Sequence, residues 1–250
     1  MTFSLKGLIL KRIVKNTEPK SLKKYRKKFT TKELDIDKQI YKNYSNKTRE
    51  GCNENEHSNL RKYLLEEQGY ICCYCMNIIS CNYSKIEHYK PQSKFRKLQL
   101  NYSNLFIACC GKSIDKKKYQ TCDTYEEEVN KNYDDKFCDT YKDNRGLTYI
   151  DLLSNIEKDI KYDKYGLIYS DNKNINDELN NILNLNSKIL KQQRKETLDR
   201  LKIKLRSKGY TKSLIEHYLK QYKNKDSSNK FAPYCEMNVY FLNKILKSKR

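Results

Sequence analysis

Seven of the ten cysteines lie between residues 72 and 122. Cys72 and Cys75 form a Cys-x-x-Cys knuckle, a tight turn that aims two thiolates at one tetrahedral metal. A second pair comes from Cys109, or its neighbour Cys110, together with Cys122. Four thiolates complete the closed shell of a structural zinc ion, whose binding contributes folding energy directly. The second pair is spaced more widely than another Cys-x-x-Cys, and the competing role for every one of these residues is a small buried hydrophobe. Cys73, Cys81, Cys138 and Cys235 read as free thiols.

Between the two half-sites runs Lys85-Ile86-Glu87-His88-Tyr89-Lys90-Pro91, followed by Asn101-Tyr102-Ser103-Asn104-Leu105. A lone histidine is more often structural than catalytic, but this one stands beside a carboxylate and inside a cysteine frame. An imidazole is an available base at neutral pH. Glu87, pointing to the opposite side of an extended backbone, can ligate a hard cation through oxygen. Lys112, Lys116, Lys117 and Lys118 sit beside this segment and could contact phosphates, although charge runs on loops usually face water.

The combination of Glu87, His88, Pro91 and the downstream Asn104-Leu105 resembles the HNH endonucleases. Their ββα-metal motif is two strands and a helix folded over a catalytic divalent ion. A longer resemblance, covering most of the chain, is to the PtuB-like HNH nuclease subunits of Septu-type and retron-associated antiviral defence systems. It is carried by Ile13 to Tyr25 (with Lys15, Pro19 and Leu22), Gly69 to Cys75, Ile86 to Ser93, Asn101 to Leu105, Gly166 to Ile168, and Leu183 to Asn186 with Leu190 and Arg194.

The resemblance implies His88 as the general base, and Asn104 either orienting His88 or holding its loop; a simple turn-capping role is the alternative for Asn104. The third site position of the family falls on a helix after the last cysteine. Here that is Asp123, after Cys122, with Asp115 as competitor. The chain departs from a literal HNH, because His57 and His217 lie outside the frame, and a lysine that follows soon after in relatives has no counterpart beside Asp123. Two metals are implied, Zn²⁺ on Cys72, Cys75, Cys109 and Cys122, and Mg²⁺ or Mn²⁺ on Glu87 and Asp123. The implied partners are nucleic acid, a PtuA-like ABC- or OLD-type ATPase subunit, and a retron's reverse transcriptase and non-coding RNA.

The elements that must position these residues are mainly helical. Asn59 to Gln68 reads as a short helix capped by Ser58 and stopped at Gly69, while Leu147 to Leu152 and Gly166 to Tyr169 read as strands. Leucines and isoleucines at helical spacing predict helices from about Asp177 to Ser207, from Thr211 to Tyr222, and from Phe231 to Lys247. The expected fold is α+β, mainly α-helical, with a zinc-stabilised ββα-metal core. Three regions are expected: a basic N-terminal segment at 1–57, the metal-framed core at 58–140, and a helical, basic region at 141–250.

Charge supports that division. The net charge of +21 over 250 residues resolves into +9 over residues 1–30, +13 over residues 187–250 and −1 between them. Such asymmetry suits polyanion binding, since neutralised phosphates release counterions. No run of about 18 apolar residues occurs and no secretory signal is recognisable at the start, so a non-membrane, cytoplasmic protein in a reducing compartment is expected. The reading is a metal-dependent nuclease, DNA ahead of RNA; the alternative is a non-catalytic, zinc-stabilised nucleic-acid-binding module.

Overall fold

The computed structural model describes residues 11–47, 60–112 and 136–248. It is α+β and mainly helical, with two small antiparallel sheets among the described residues. Three short helices come first among the described residues, α1 (Lys20–Arg26), α2 (Thr31–Ile36) and α3 (Gln39–Lys47). A capping box starts α2: the Thr30 side chain accepts from the Glu33 amide, and the Glu33 carboxylate accepts from the Thr30 amide. The next helix, α4 (Leu60–Gln68), buries Leu60, Leu64 and Leu65 on one face. Gly69 ends it with φ +65, as a left-handed stop requires.

Strands β1 (Lys85–His88) and β2 (Leu105–Ala108) pair antiparallel, with Glu87 opposite Phe106 and His88 opposite Leu105. The short helix α5 (Cys138–Lys142) follows in the described chain. Strands β3 (Lys161–Tyr162) and β4 (Ile168–Tyr169) make the second sheet. The stretch at 147–152 is not a strand; it bends at Thr148 and Tyr149. Its amides at Thr148, Tyr149 and Ile150 donate to the Glu178 carboxylate rather than to a neighbouring strand.

The expected helix over 177–207 is interrupted. Helix α6 (Lys173–Asp177) runs into a wide turn at Glu178–Ile182, and Asn184 takes φ +47. Ser187 then caps a new helix, α7 (Lys188–Lys208), by accepting from the Leu190 amide. Thr211 caps α8 (Lys212–Lys223) in the same way, and α9 (Cys235–Ser248) completes the described chain. Leu201, Leu205, Ile215, Leu219, Val239 and Leu242 interlock these three helices. The main core takes residues from the whole chain, from Ile13 and Leu22 through Leu105 and Ile107 to Leu190 and Met237. No described helix is long and apolar enough to cross a membrane.

Candidate metal centre and catalytic cavity

Cys72, Cys75, Cys109 and Cys138 converge, with their sulfur atoms all within 4.8 Å of one another. The knuckle holding the first two is a tight turn, in which the Met76 amide donates to the Cys72 carbonyl at 3.0 Å and the Cys72 amide to the Asn77 carbonyl at 2.9 Å. Cys109 follows directly on the end of β2, and Cys138 opens α5 with its amide on the Leu183 carbonyl at 2.8 Å. The Sγ–Sγ distances of 3.9 Å for Cys72–Cys138 and 3.8 Å for Cys75–Cys109 match the edge of about 3.8 Å in a tetrahedron whose metal–sulfur bonds are about 2.3 Å. Burial works to raise the Cys72 thiol, yet hydrogen bonds from Cys109 and Cys138, and from Cys73 and Cys75, hold it well below the ordinary range. Burial and the hydrogen bonds with Cys109 and Cys72 push Cys138 well above it. Four cysteine sulfurs at tetrahedral spacing, three of them buried, are a donor set that fits a cation such as zinc.

The cysteine assignments change in part. Cys138, expected as a free thiol, occupies the fourth corner; Cys122, expected there, lies outside the described residues, as do Asp115, Asp123, Lys116, Lys117 and Lys118. Cys81, also expected free, is disulfide-bonded, and so is Cys110, which settles the choice between Cys109 and Cys110 as ligand. The chain leaves Cys110 through Gly111 at φ +67, and a Cβ there would stand 2.4 Å from the Phe137 carbonyl oxygen. That close approach is fixed by the Phe137 amide on the Gly111 carbonyl at 2.8 Å and the Thr140 hydroxyl on the Cys110 carbonyl at 2.9 Å. It brings α5 against the end of β2.

Asp139, next to Cys138, lines a cavity of about 440 Å³ together with Glu87, His88 and Lys142, with Lys38 and Arg96 among its other walls. Glu87 is 3 % exposed. Its Oε1 accepts from the Tyr74 hydroxyl at 2.6 Å and pairs with Lys142 Nζ at 2.7 Å. Burial, and then the close charge of Asp139 and a hydrogen bond with it, push Glu87 well above the ordinary carboxylate range, against the pull of Lys142. Two carboxylates held together in this way need a proton or a cation between them. Their oxygens suit a hard divalent cation, which is commonly held by one or two carboxylates while keeping several waters.

His88 is half-buried, and its Nε2 lies 3.0 Å from the Gln99 carbonyl oxygen. A carbonyl only accepts, so Nε2 carries the hydrogen and Nδ1 keeps a free lone pair. Burial lowers its pKa to about 4, so the ring is neutral near pH 7. The Tyr41 ring meets it edge-on at 4.4 Å between centroids. The Asn104 side chain makes its hydrogen bonds elsewhere than to the imidazole. Its Oδ1 accepts from the Lys90 amide at 2.7 Å and its Nδ2 donates to the Lys90 carbonyl at 3.1 Å. Of the two family-implied roles, this geometry is that of holding the loop after β1. Lys112 lies apart from this cavity, in a separate cleft beside Cys109 and Phe137.

Asp139 and Lys142 are the site residues that spacing alone missed. The tetrapeptide Cys-Asp-Thr-Tyr occurs twice, at Cys122 to Tyr125 and at Cys138 to Tyr141. Only the second copy has a lysine directly after it, Lys142, and that lysine was the signal that could have found the site. Comparison with known proteins found no matching family model and no matching curated protein.

Proposed function

We propose that the chain is a metal-dependent endonuclease of HNH type, hydrolysing nucleic-acid phosphodiester bonds, DNA ahead of RNA, as the effector of an antiviral defence system. The observation that carries the reading is the convergence of Glu87, His88, Asp139 and Lys142 on one cavity, built on two strands and a helix over four cysteines. The two strands and α5 are the parts a ββα-metal core requires. Cys72, Cys75, Cys109 and Cys138 would hold zinc, which stabilises the fold. Glu87 and Asp139 would hold Mg²⁺ or Mn²⁺, which when bound neutralises charge at the scissile phosphate and stabilises the departing oxygen.

The chain's own residues divide the remaining work. Gln99 fixes the His88 tautomer, so that Nδ1 can accept a proton from the attacking water. Lys142 and Tyr74 hold Glu87 in place, and Asn104 fixes the loop that follows His88. The ATPase partner, the retron components and the defence setting rest on the sequence resemblance; co-purification with the neighbouring gene's product tests them.

The test of the activity is incubation of purified protein with DNA and RNA in Mg²⁺ or Mn²⁺. The parent is expected to cleave, and His88→Ala to lose about 10²–10⁴-fold in rate. Asp139→Asn should fall with it, while Asp123→Asn cuts like the parent. Undiminished cleavage by His88→Ala overturns the assignment. The commitment of Glu87 to Tyr74 and Lys142 favours the alternative, a non-catalytic nucleic-acid-binding module, which predicts binding without cleavage in the same assay.

A further inference from the structure

Gln99 ties the N-terminal helices to the cavity that His88 lines, beside the Tyr41 ring packed on that imidazole. Gln99 is fully buried. Its backbone carbonyl holds His88, and its side-chain amide holds the α2–α3 turn: Nε2 donates to the Leu34 carbonyl at 2.6 Å and to the Asp37 carbonyl at 3.0 Å, while Oε1 accepts from the Tyr41 amide at 2.9 Å. Gln92 also donates to that Oε1 at 3.2 Å. Lys38 follows directly on the Asp37 carbonyl and projects an exposed side chain at the wall of the cavity. Arg96, half-buried, lines the same cavity from the short turn Arg96–Leu98, against which α2 packs.

The cations of this cavity differ in their commitments. Lys142 is buried and spent on Glu87. Lys38 and Arg96 form no ion pair and no side-chain hydrogen bond among the described residues, although Asp143 stands on the same rim. Two cations without partners among the described residues, on the wall of a cavity that Glu87, His88 and Asp139 also line, suit a chain of phosphates in which one enters and its neighbours stay at the rim.

We infer that Lys38 and Arg96 form a phosphate-binding subsite for the nucleic-acid backbone flanking the scissile bond, with Gln99 setting its position relative to His88. This rests on the nucleolytic reading of the same cavity. Arginine supplies a fork that can grip two phosphate oxygens, and lysine a point charge. The subsite reads backbone rather than sequence.

Full-length protein, without divalent ions, is titrated against fluorescein-labelled DNA and RNA oligonucleotides of mixed sequence, single-stranded and duplex, over a range of salt. The double variant Lys38→Ala/Arg96→Ala is expected to bind at least about tenfold more weakly. Its salt dependence should fall by about 0.9 in log–log slope for each lost contact on duplex DNA and about 0.7 on single strands. The swap Lys38→Arg/Arg96→Lys should keep most of the binding and the slope. Thermal unfolding and zinc content like the parent's show that the variants fold. Affinity and slope within twofold of the parent overturn the subsite, and so does weaker binding at an unchanged slope, which would place the lost contact elsewhere than on phosphate. The two proposals fail separately. A parent that cuts but does not depend on this pair removes only the subsite; a chain that binds through the pair yet cuts nothing removes only the nuclease.

Discussion

Tyr74, the residue just before Cys75 in the Cys-x-x-Cys knuckle, donates its hydroxyl hydrogen to Glu87 Oε1 at 2.6 Å. The knuckle is therefore part of the cavity's construction as well as a staple for the fold. The second tetrad element does the same from the other side, because Asp139 follows Cys138 on α5. Both carboxylates are thus tied to neighbours of tetrad cysteines, Glu87 through the hydroxyl of Tyr74 beside Cys75 and Asp139 by its place next to Cys138.

Removing that hydroxyl tests the link. Tyr74 is fully buried, so Tyr74→Phe keeps the ring's packing while leaving Glu87 one donor short. A buried hydrogen bond to a charged group contributes about 1.5–3 kcal/mol. The variant is expected to lose about that much stability in denaturant unfolding, keep its zinc, and cleave more slowly. Unchanged stability and rate would mean that water replaces the hydroxyl and that the knuckle does not support Glu87.

The identity of the fourth sulfur gives a sharper test. Parent protein is expected to contain about one zinc per chain. Cys138→Ser should lose it, together with much of the fold's stability, whereas Cys122→Ser should retain it, because the four corners are filled without Cys122. Metal analysis and thermal unfolding of the two variants decide. Loss of zinc in Cys122→Ser but not in Cys138→Ser would restore the ligand set expected from spacing.

What was legible in the sequence was whatever depends on short spacing. Glu87 and His88, Cys72 and Cys75, and the stop at Gly69 follow from local pattern, whereas Cys109 cannot be told from its neighbour Cys110 without the disulfide of Cys110. Cys138 and Asp139 were hidden by a repeated tetrapeptide whose two copies are chemically alike; tertiary packing, through Gly111 against Phe137, selects the second. The three N-terminal helices were missed for a different reason. They are six to nine residues long and each sends only one or two apolar side chains into the core (Leu22; Leu34; Ile40 and Tyr44), too few for hydrophobic periodicity to register, although Thr30 and Glu33 spell a capping box. The false strand at 147–152 reflects β-branched and aromatic residues whose amides are claimed by Glu178.

Gly111 carries a prediction of its own. Its left-handed φ, and the 2.4 Å that would separate an added Cβ from the Phe137 oxygen, leave no room for a side chain. Gly111→Ala is expected to cost more than about 1 kcal/mol and to weaken zinc retention, by pushing α5 and Cys138 away from β2. Gly146, which has no atom within 4 Å of an added Cβ, is the control, and Gly146→Ala should unfold like the parent. Equal behaviour of the two variants would show that α5 tolerates displacement.

The pair Lys142–Glu87 separates stability from chemistry. The two side chains are 1 % and 4 % exposed and their charged atoms are 2.7 Å apart. Breaking a buried pair by removing one partner commonly costs about 3–5 kcal/mol, while replacing both with neutral groups of similar shape can cost little. Lys142→Met is therefore expected to be strongly destabilising, because Glu87 and Asp139 then face each other without a counter-charge. Glu87→Gln should cost less, since the amide oxygen still accepts from Tyr74. The double variant should recover part of the loss, with a coupling of at least about 1 kcal/mol in a denaturant double-mutant cycle. Strict additivity would dissolve the pair as an electrostatic unit. If the double variant is stable and binds nucleic acid but cuts nothing, the reason for keeping two opposite charges out of water lies in the cavity's chemistry rather than in the fold.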